Sequence, residues 1–366
     1  MGRVTIADVA RQARVSPASV SAAFNDPDQL SESTVSRIVA TARRLGYAPN
    51  PHARALLSRR AGVLGVLFPQ AVATVFANPF FSAFLEGVGE MTDERAIGLL
   101  TVSPAHGSIA RAIAAAPVDG FVIVGLDELH DEIAPLRRRG VPYVIVDGDA
   151  EIASSVNVDD EAGAYAAARY VLDRGHRDVL VLGFEMPAED LPAPRGVAGR
   201  RLAGYRRAFA ERGITLDDAA ISRTPVSLRG GDDALEAALE TGRRPTALLA
   251  VSDIMALGAI RAAQRNGLRV PDDLEIIGFD DVPLASASRP ALSTVHQPIS
   301  EKGRAATRLL LRELDDSGPR EHLVLATELV LRETTDTPTP KRADTRRREK
   351  GGSYRGRQTL TRAAVK

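Results

Sequence analysis

Apolar positions along this chain change their spacing once, near residue 62, and the change divides it in two. Over the first 46 residues they recur at helical intervals. Ile6, Val9, Ala10 and Ala13 follow a Thr5/Asp8 pair that resembles a capping box. Ser16 and Pro17 fit the N-cap and first position of a second helix, with Val20, Ala23 and Phe24 on its apolar face. Asn25-Asp26-Pro27-Asp28 breaks that helix. A third starts near Ser31, turns Val35, Ile38, Val39, Ala42 and Leu45 inward, and stops at Gly46. Three short helices, two of them joined by a tight turn, predict a helix-turn-helix unit.

From Gly62 onward, short β-rich runs alternate with amphipathic stretches. The runs are VLGVLF (63–68), IGLLTV (97–102), FVIV (121–124), YVIV (143–146), VLVLG (179–183), ALLAV (247–251) and EIIGF (275–279). Helical segments are expected at 161–174, 200–212, 231–240, 253–266 and 298–314. Continuous apolar strands between helices imply parallel sheets covered on both faces, an α/β class. The length exceeds one comfortable sheet, so two α/β subdomains with a cleft are expected, with polar residues that matter beyond the carboxyl ends of strands. The division is therefore a DNA-binding-type head over 1–47, a linker over 48–61, a two-subdomain body over 62–335 and a tail over 336–366. The linker segment HARALLSRR has about two helical turns, too short for a stable isolated helix, and is expected to order only with a partner. The tail, with Pro338, Pro340 and a Lys/Arg run, is expected to be disordered.

Charge adds the first functional clue. The net charge is zero, yet residues 1–62 carry nine Arg against four acids (+5), 338–366 carry ten basic against two acidic residues (+8), and 63–337 is left at −13. A basic head on an acidic body points to a polyanion for the head alone. No Cys is present and the six His are scattered without HExxH spacing, so neither a disulfide framework nor a metal site is expected. The uncharged stretch Ala61–Leu85 is long enough to span a bilayer but is divided by Pro69, Gln70, Asn78 and Pro79, and no membrane partner is expected. The start of the chain has no apolar h-region, which fits a cytoplasmic protein better than an exported transport protein. GxxxxGK[ST], GxSxG and HExxH motifs do not occur, and the adjacent acid pairs Asp159-Asp160, Asp232-Asp233 and Asp280-Asp281 point apart; no catalytic residue and no cofactor is expected.

The segments VTIADVARQARVSPASVSAAFN, LGYAPNPHARAL and GVLGVLFP, followed by NPFFSAFLEGV, RRLAGYRRAF, TALLAVSDIMALGAIRA, LEIIGFDDVPLA and LSTVHQPI, resemble the lactose/galactose-repressor (LacI/GalR) family of bacterial transcription regulators over residues 4–333. The resemblance implies a homodimeric repressor whose head binds operator DNA, whose hinge enters the minor groove, and whose periplasmic-binding-protein-like body takes a small effector, a sugar or sugar derivative, in its cleft. It carries DNA contact onto Thr5, Ser16, Pro17, Ala18, Ser19, Ser21, Ala22 and Asn25 in the head and Asn50, Ala53, Arg54 and Leu56 in the linker. Short polar side chains at a helix start suit phosphate oxygens, and Leu56 with Ala53 fits a minor-groove wedge, the plainer role being that Leu56 packs on its symmetry mate or on the body. The family usually places Arg after the serine at 21. Ala22 stands there instead: with Ala18 it either offers a methyl to thymine in place of a bidentate guanine contact or only avoids a clash.

In the body, the resemblance places Phe81, Asp147, Arg201, Ser252, Asp280 and Gln297 at the effector cleft. Plainer roles stand beside these: Asp280 or Asp281 capping a turn, Ser252 or Asp253 capping the helix before Ile254, Arg201 pairing with a surface acid, Ala203 and Tyr205 packing a helix. Many relatives have Asn where Ser252 stands.

Overall fold

The computed structural model describes residues 4–48, 60–186, 195–316 and 318–335. The expectations for Asn50, Ala53, Arg54, Leu56, the linker helix and the tail beyond 335 lie outside the described residues.

The head is three helices, α1 (Ile6–Ala13), α2 (Pro17–Asn25) and α3 (Glu32–Leu45). The first starts as its sequence predicts: the Thr5 backbone N–H and hydroxyl donate to Asp8 Oδ2 at 3.0 and 2.7 Å. Ser16 Oγ accepts from the Ser19 amide at 3.0 Å, satisfying one donor that the helix start leaves open. Val9, Ala10, Ala13, Val20, Ala23, Ile38 and Ala42 close a small core between the three.

The body has two lobes, each a six-stranded sheet. The first contains β1 (Val63–Leu67), β2 (Gly98–Val102), β3 (Gly120–Val124), β4 (Tyr143–Val146), β5 (Ser155–Val158) and β11 (His322–Leu325), in the order β11-β5-β4-β3-β1-β2, all parallel. Its helices are α4 (Val72–Ala77), α5 (Pro79–Asp93), α6 (Ile109–Ala115), α7 (Ala134–Arg139) and α13 (Ile299–Leu314). The second contains β6 (Val179–Phe184), β7 (Ile221–Thr224), β8 (Ala247–Ala250), β9 (Glu275–Asp280), β10 (Ser293–His296) and β12 (Glu328–Val330), in the order β12-β10-β9-β8-β6-β7. β12 alone runs antiparallel there, against β10. The helices of this lobe are α8 (Asp160–Asp173), α9 (Gly196–Ala210), α10 (Leu228–Glu240), α11 (Asp253–Arg265) and α12 (Pro283–Ala287). The seven apolar runs became β1, β2, β3, β4, β6, β8 and β9. No helix of the described residues is long and apolar enough to cross a membrane, and Ala61–Leu85 resolves into a strand, a short helix and the first part of another.

The chain passes between lobes three times: from β5 into α8, from β10 into α13, and from β11 into β12. The first and third passages lie side by side, the Asp159 N–H donating to Leu325 O at 2.9 Å and the Thr327 hydroxyl to Asp159 O at 3.0 Å. Asp159 also caps α8 by accepting from the Ala162 amide. Helices α5 and α13 cover one face of the first sheet and cross without side chains between them: a Cβ on Gly87 would sit 1.9 Å from Ser300 O, and one on Gly303 2.3 Å from Phe84 O. Paired glycines at the crossing let the two backbones touch.

The chain enters the first lobe firmly held. Asp119 accepts from the amides of Ala61 and Gly62, and the Arg60 guanidinium donates to Leu314 O at 2.7 Å and to Asp315 at 3.3 Å, at the carboxyl end of α13.

Candidate functional site

The carboxyl ends of β4, β8 and β9, the start of α9 and the second passage between lobes converge on a cleft of about 710 Å³. All six residues expected there line it: Phe81, Asp147, Arg201, Ser252, Asp280 and Gln297. Asp147 directly follows β4 and Asp280 ends β9. Both have positive φ, 56° and 132°, and Asp281 follows at 61°. Left-handed backbone at non-glycine residues costs about 1–3 kcal/mol each and collects where function over-determines it.

Arg201 is the centre of the second-lobe side. Its Nε donates to Asp160 Oδ1 at 2.8 Å, one terminal nitrogen donates to the Val251 carbonyl, and the same nitrogen is 3.8 Å from Asp280. Its guanidinium carbon lies 3.5 Å from the Phe279 ring centroid and 5.8 Å from that of Phe184. Arg201 is buried, and so is Asp160, so the surface-acid alternative does not hold. Burial disfavours the charged guanidinium, but Asp160 and then Asp280 more than offset it, and its pKa rises above the ordinary arginine value. The neighbouring Arg200 grips the other Asp160 oxygen at 3.1 Å and reaches across to Asp149 at 2.9 Å and Asn157 at 3.3 Å, tying the second lobe to the first.

Asp280 accepts from Ser252 Oγ at 2.9 Å and Gln297 Nε2 at 2.6 Å. Burial raises its pKa, against the pull of Arg201. Ser252 occupies the N-cap position of α11 but gives no side-chain cap. Asp253 does not cap that helix either: its carboxylate accepts from the Val282 amide at 2.9 Å and the Thr294 hydroxyl at 2.5 Å, which fastens β10 and the turn after β9. Gln297 Oε1 accepts from Lys302 Nζ at 2.6 Å, and the same ammonium donates to Asp147 Oδ1 at 2.7 Å. Phe81 packs edge-on against Phe68 and Phe80, at 4.8 and 5.3 Å between centroids, and with Phe80 and Phe184 supplies the apolar wall. Tyr205 is buried, as helix packing requires, whereas Ala203 is exposed on α9.

Sequence reasoning missed Lys302, Asp160, Arg200 and Gln70. A signal existed for Lys302: it interrupts the buried stripe Ile299, Ala305, Ala306, Leu309 of α13 at helical spacing. Gln70 also lines the cleft, and its side-chain oxygen is buried with no hydrogen-bond partner among the described residues.

In the head, Thr5, Ser16, Pro17, Ala18 and Asn25 are exposed and Ser19, Ser21 and Ala22 half-buried. Ser16 and Ser19 hydroxyls meet at 2.9 Å, and Asn25 Nδ2 donates to Ser21 Oγ at 3.1 Å, so the polar side chains of α2 form two bonded pairs, one at its start and one at its end.

A helix-turn-helix head on a two-lobed α/β body with a polar interlobe cleft defines a class, the ligand-responsive DNA-binding regulators. Residues 5–50 match the family described as bacterial regulatory proteins, lacI family, and 168–335 match the periplasmic binding protein-like domain. An HTH-type transcriptional regulator of Mycobacterium tuberculosis is 36% identical, covering 92% of this chain and 98% of its own length. The HTH-type transcriptional repressor CytR of Escherichia coli is 32% identical over 90% of this chain and 96% of its own. Among solved structures, the lac repressor dimer bound to operator and the anti-inducer ONPF superposes with a TM-score of 0.75 at 26% identity, covering 91% of this chain and 99% of that one. The transcriptional regulator CelR in complex with cellobiose gives 0.66 at 29% identity, with 91% and 100% covered. The chain belongs to the LacI family; it is a DNA-binding transcriptional regulator and not an enzyme.

Proposed function

We propose that this protein is a cytoplasmic repressor that binds an operator as a homodimer and exchanges that state for another when a carbohydrate enters the cleft. Its head over 1–47 reads DNA, 48–61 connects, and 62–335 binds effector and partner subunit. Thr5, Ser16, Ser19, Ser21 and Asn25 contact phosphates, and Pro17, Ala18 and Ala22 face base edges. In the linker, Asn50 and Arg54 lie near the backbone while Ala53 and Leu56 wedge the minor groove.

One observation carries the effector reading: the open valences of the cleft. Gln70 Oε1 and Asp147 Oδ2 are acceptors, and the second terminal nitrogen of Arg201 is a donor, all three without protein partners among the described residues. They face an apolar wall of Phe80, Phe81 and Phe184. Buried polar groups need partners, and a sugar offers hydroxyls that both donate and accept, plus C–H faces for aromatic rings. The relatives' DNA- and sugar-bound forms support the same reading.

The test is selection from a random duplex library with the full chain, followed by a saccharide screen for release from the enriched site. Enrichment of a two-fold symmetric site and release by a saccharide are expected. Failure to enrich any sequence refutes the DNA reading, and release by none of the saccharides refutes the effector reading.

A further inference from the structure

Lys302 is fully enclosed, yet an apolar side chain at its place on α13 would pack without the cost of desolvating an ammonium. Among the described residues its Nζ donates to Asp147 and Gln297 alone, and it lies 5.4 Å from the Phe80 ring centroid. Lys302 does not itself line the cleft, whereas both of its acceptors do. It therefore acts on the cleft from behind.

The effect of that placement follows from the charges in the wall. Three carboxylates, Asp147, Asp160 and Asp280, face three cations, Arg200, Arg201 and Lys302, through the contacts given above. Asp253, behind Asp280, is pushed up by burial and by the Asp280 charge, and its two oxygens are taken by the Val282 amide and the Thr294 hydroxyl. Each carboxylate of this inner wall thus has a cationic partner before any ligand arrives. Further out, the lining adds exposed Glu185 and Arg195 and half-buried Asp127, which accepts from the Asp149 amide. A charged ligand entering this cleft loses hydration and meets no unpaired counter-charge in the wall.

We propose that Lys302 is a specificity-determining residue: by neutralising Asp147 from behind, it restricts the cleft to uncharged, hydroxyl-bearing ligands, and its removal opens the same cleft to amines. This rests on the cleft being the effector site. Taking away the ammonium leaves Asp147 as a bare carboxylate on the cleft surface, with one oxygen already open. A ligand ammonium then replaces the missing partner.

The test uses the full chain, as wild type and as Lys302→Met, which removes the charge and keeps the bulk. Thermal unfolding is followed with matched probes at equal ionic strength: n-propylammonium chloride against n-propanol, and D-glucosamine and D-glucose 6-phosphate against D-glucose. In Lys302→Met the amines should raise Tm by roughly 3 °C or more over their neutral twins, while wild type should show no amine or phosphate preference. Absence of an amine preference in the variant, or stabilisation of wild type by a charged probe over its neutral twin, overturns the proposal. If Lys302→Met does not fold, Asp147→Asn/Lys302→Met, with both charges gone, should fold and show no amine preference. Failure of that double variant to fold makes Lys302 a packing residue and also overturns it. If every saccharide is inert on both proteins, the effector reading falls, while the propylammonium–propanol contrast still decides the role of Lys302.

Discussion

Arg201 holds the cleft wall together, and the consequence is measurable without any ligand. Replacing it by Met keeps most of the volume over Phe279 but leaves buried Asp160 with Arg200 alone and removes the cation nearest Asp280. Breaking a buried ion pair by removing one partner costs about 3–5 kcal/mol, because the surviving charge stays desolvated. At roughly 2–4 °C per kcal/mol for a body of this size, Arg201→Met should melt roughly 6–20 °C below wild type. Asp160→Asn alone should also be costly, since it strands Arg201 in the same surroundings. The double variant Arg201→Met/Asp160→Asn strands neither, and should be less destabilised than the sum of the singles by about 2–3 kcal/mol. Calorimetric melting of all four proteins, with the exposed pair Arg229–Asp233 as a control cycle, makes the comparison. Additive single effects, with coupling no larger than in the control, would refute the view that Arg201 and Asp160 form one buried unit. The result also bears on any effector-response experiment, because an Arg201 variant that no longer responds to ligand has also lost stability.

Other consequences are as open to test. Asp253 stands at about 8 in the folded protein against an ordinary 3.8, so between those values the folded state holds a proton that the unfolded chain releases, and this group makes the protein less stable as pH rises through that window. Asp253→Asn, which mimics the neutral acid, should flatten the decline in Tm between about pH 5 and pH 8; an unchanged slope would count against it. Ala22→Arg should add preference for one guanine per half-site by about 5- to 150-fold in selection from random DNA, the equivalent of one bidentate contact, and an unaltered consensus would show that Ala22 does not face a base. Gly87→Ala should destabilise by about 1–3 kcal/mol or more, since its Cβ meets Ser300 O at 1.9 Å. Gly89→Ala, two residues on in the same helix with nothing within 4 Å, should instead stabilise slightly. Equal effects at the two positions, read from Tm, would contradict the tight α5–α13 crossing.

Strands buried on both faces were legible because nothing polar interrupts them: FVIV and YVIV became β3 and β4. β5, β7, β10, β11 and β12 were not. SVNV, ISRT, STVH, HLVL and ELV mix polar residues into short runs, some of them sheet edges. The buried Ser293 and Thr294 of β10 are tolerated because Thr335 and Asp253 satisfy their hydroxyls, partners far off in sequence. The cleft was legible where a residue sits at a strand's carboxyl end, as Asp147, Ser252 and Asp280 do. Asp160 and Lys302 were obscured for opposite reasons. The first lies in an acid pair that reads as a solvated helix start, and the second reads as a lysine on a surface helix until its partners Asp147 and Gln297 are known.

The threefold traffic of the backbone between lobes limits how this body can be divided. Each half borrows its last pieces from the C-terminal stretch: α13 and β11 complete the first, β12 the second. A fragment stopping at residue 159 would lack the helix that shields its own sheet, and the remainder would carry β11 without β5, the strand it pairs with. Hybrid regulators that join a foreign sensor to this head therefore require transplanting the sensor whole, with the exchange point upstream of residues 60–62, where Leu314 and Asp315 hold Arg60 and Asp119 holds the next two amides, rather than at either lobe's edge.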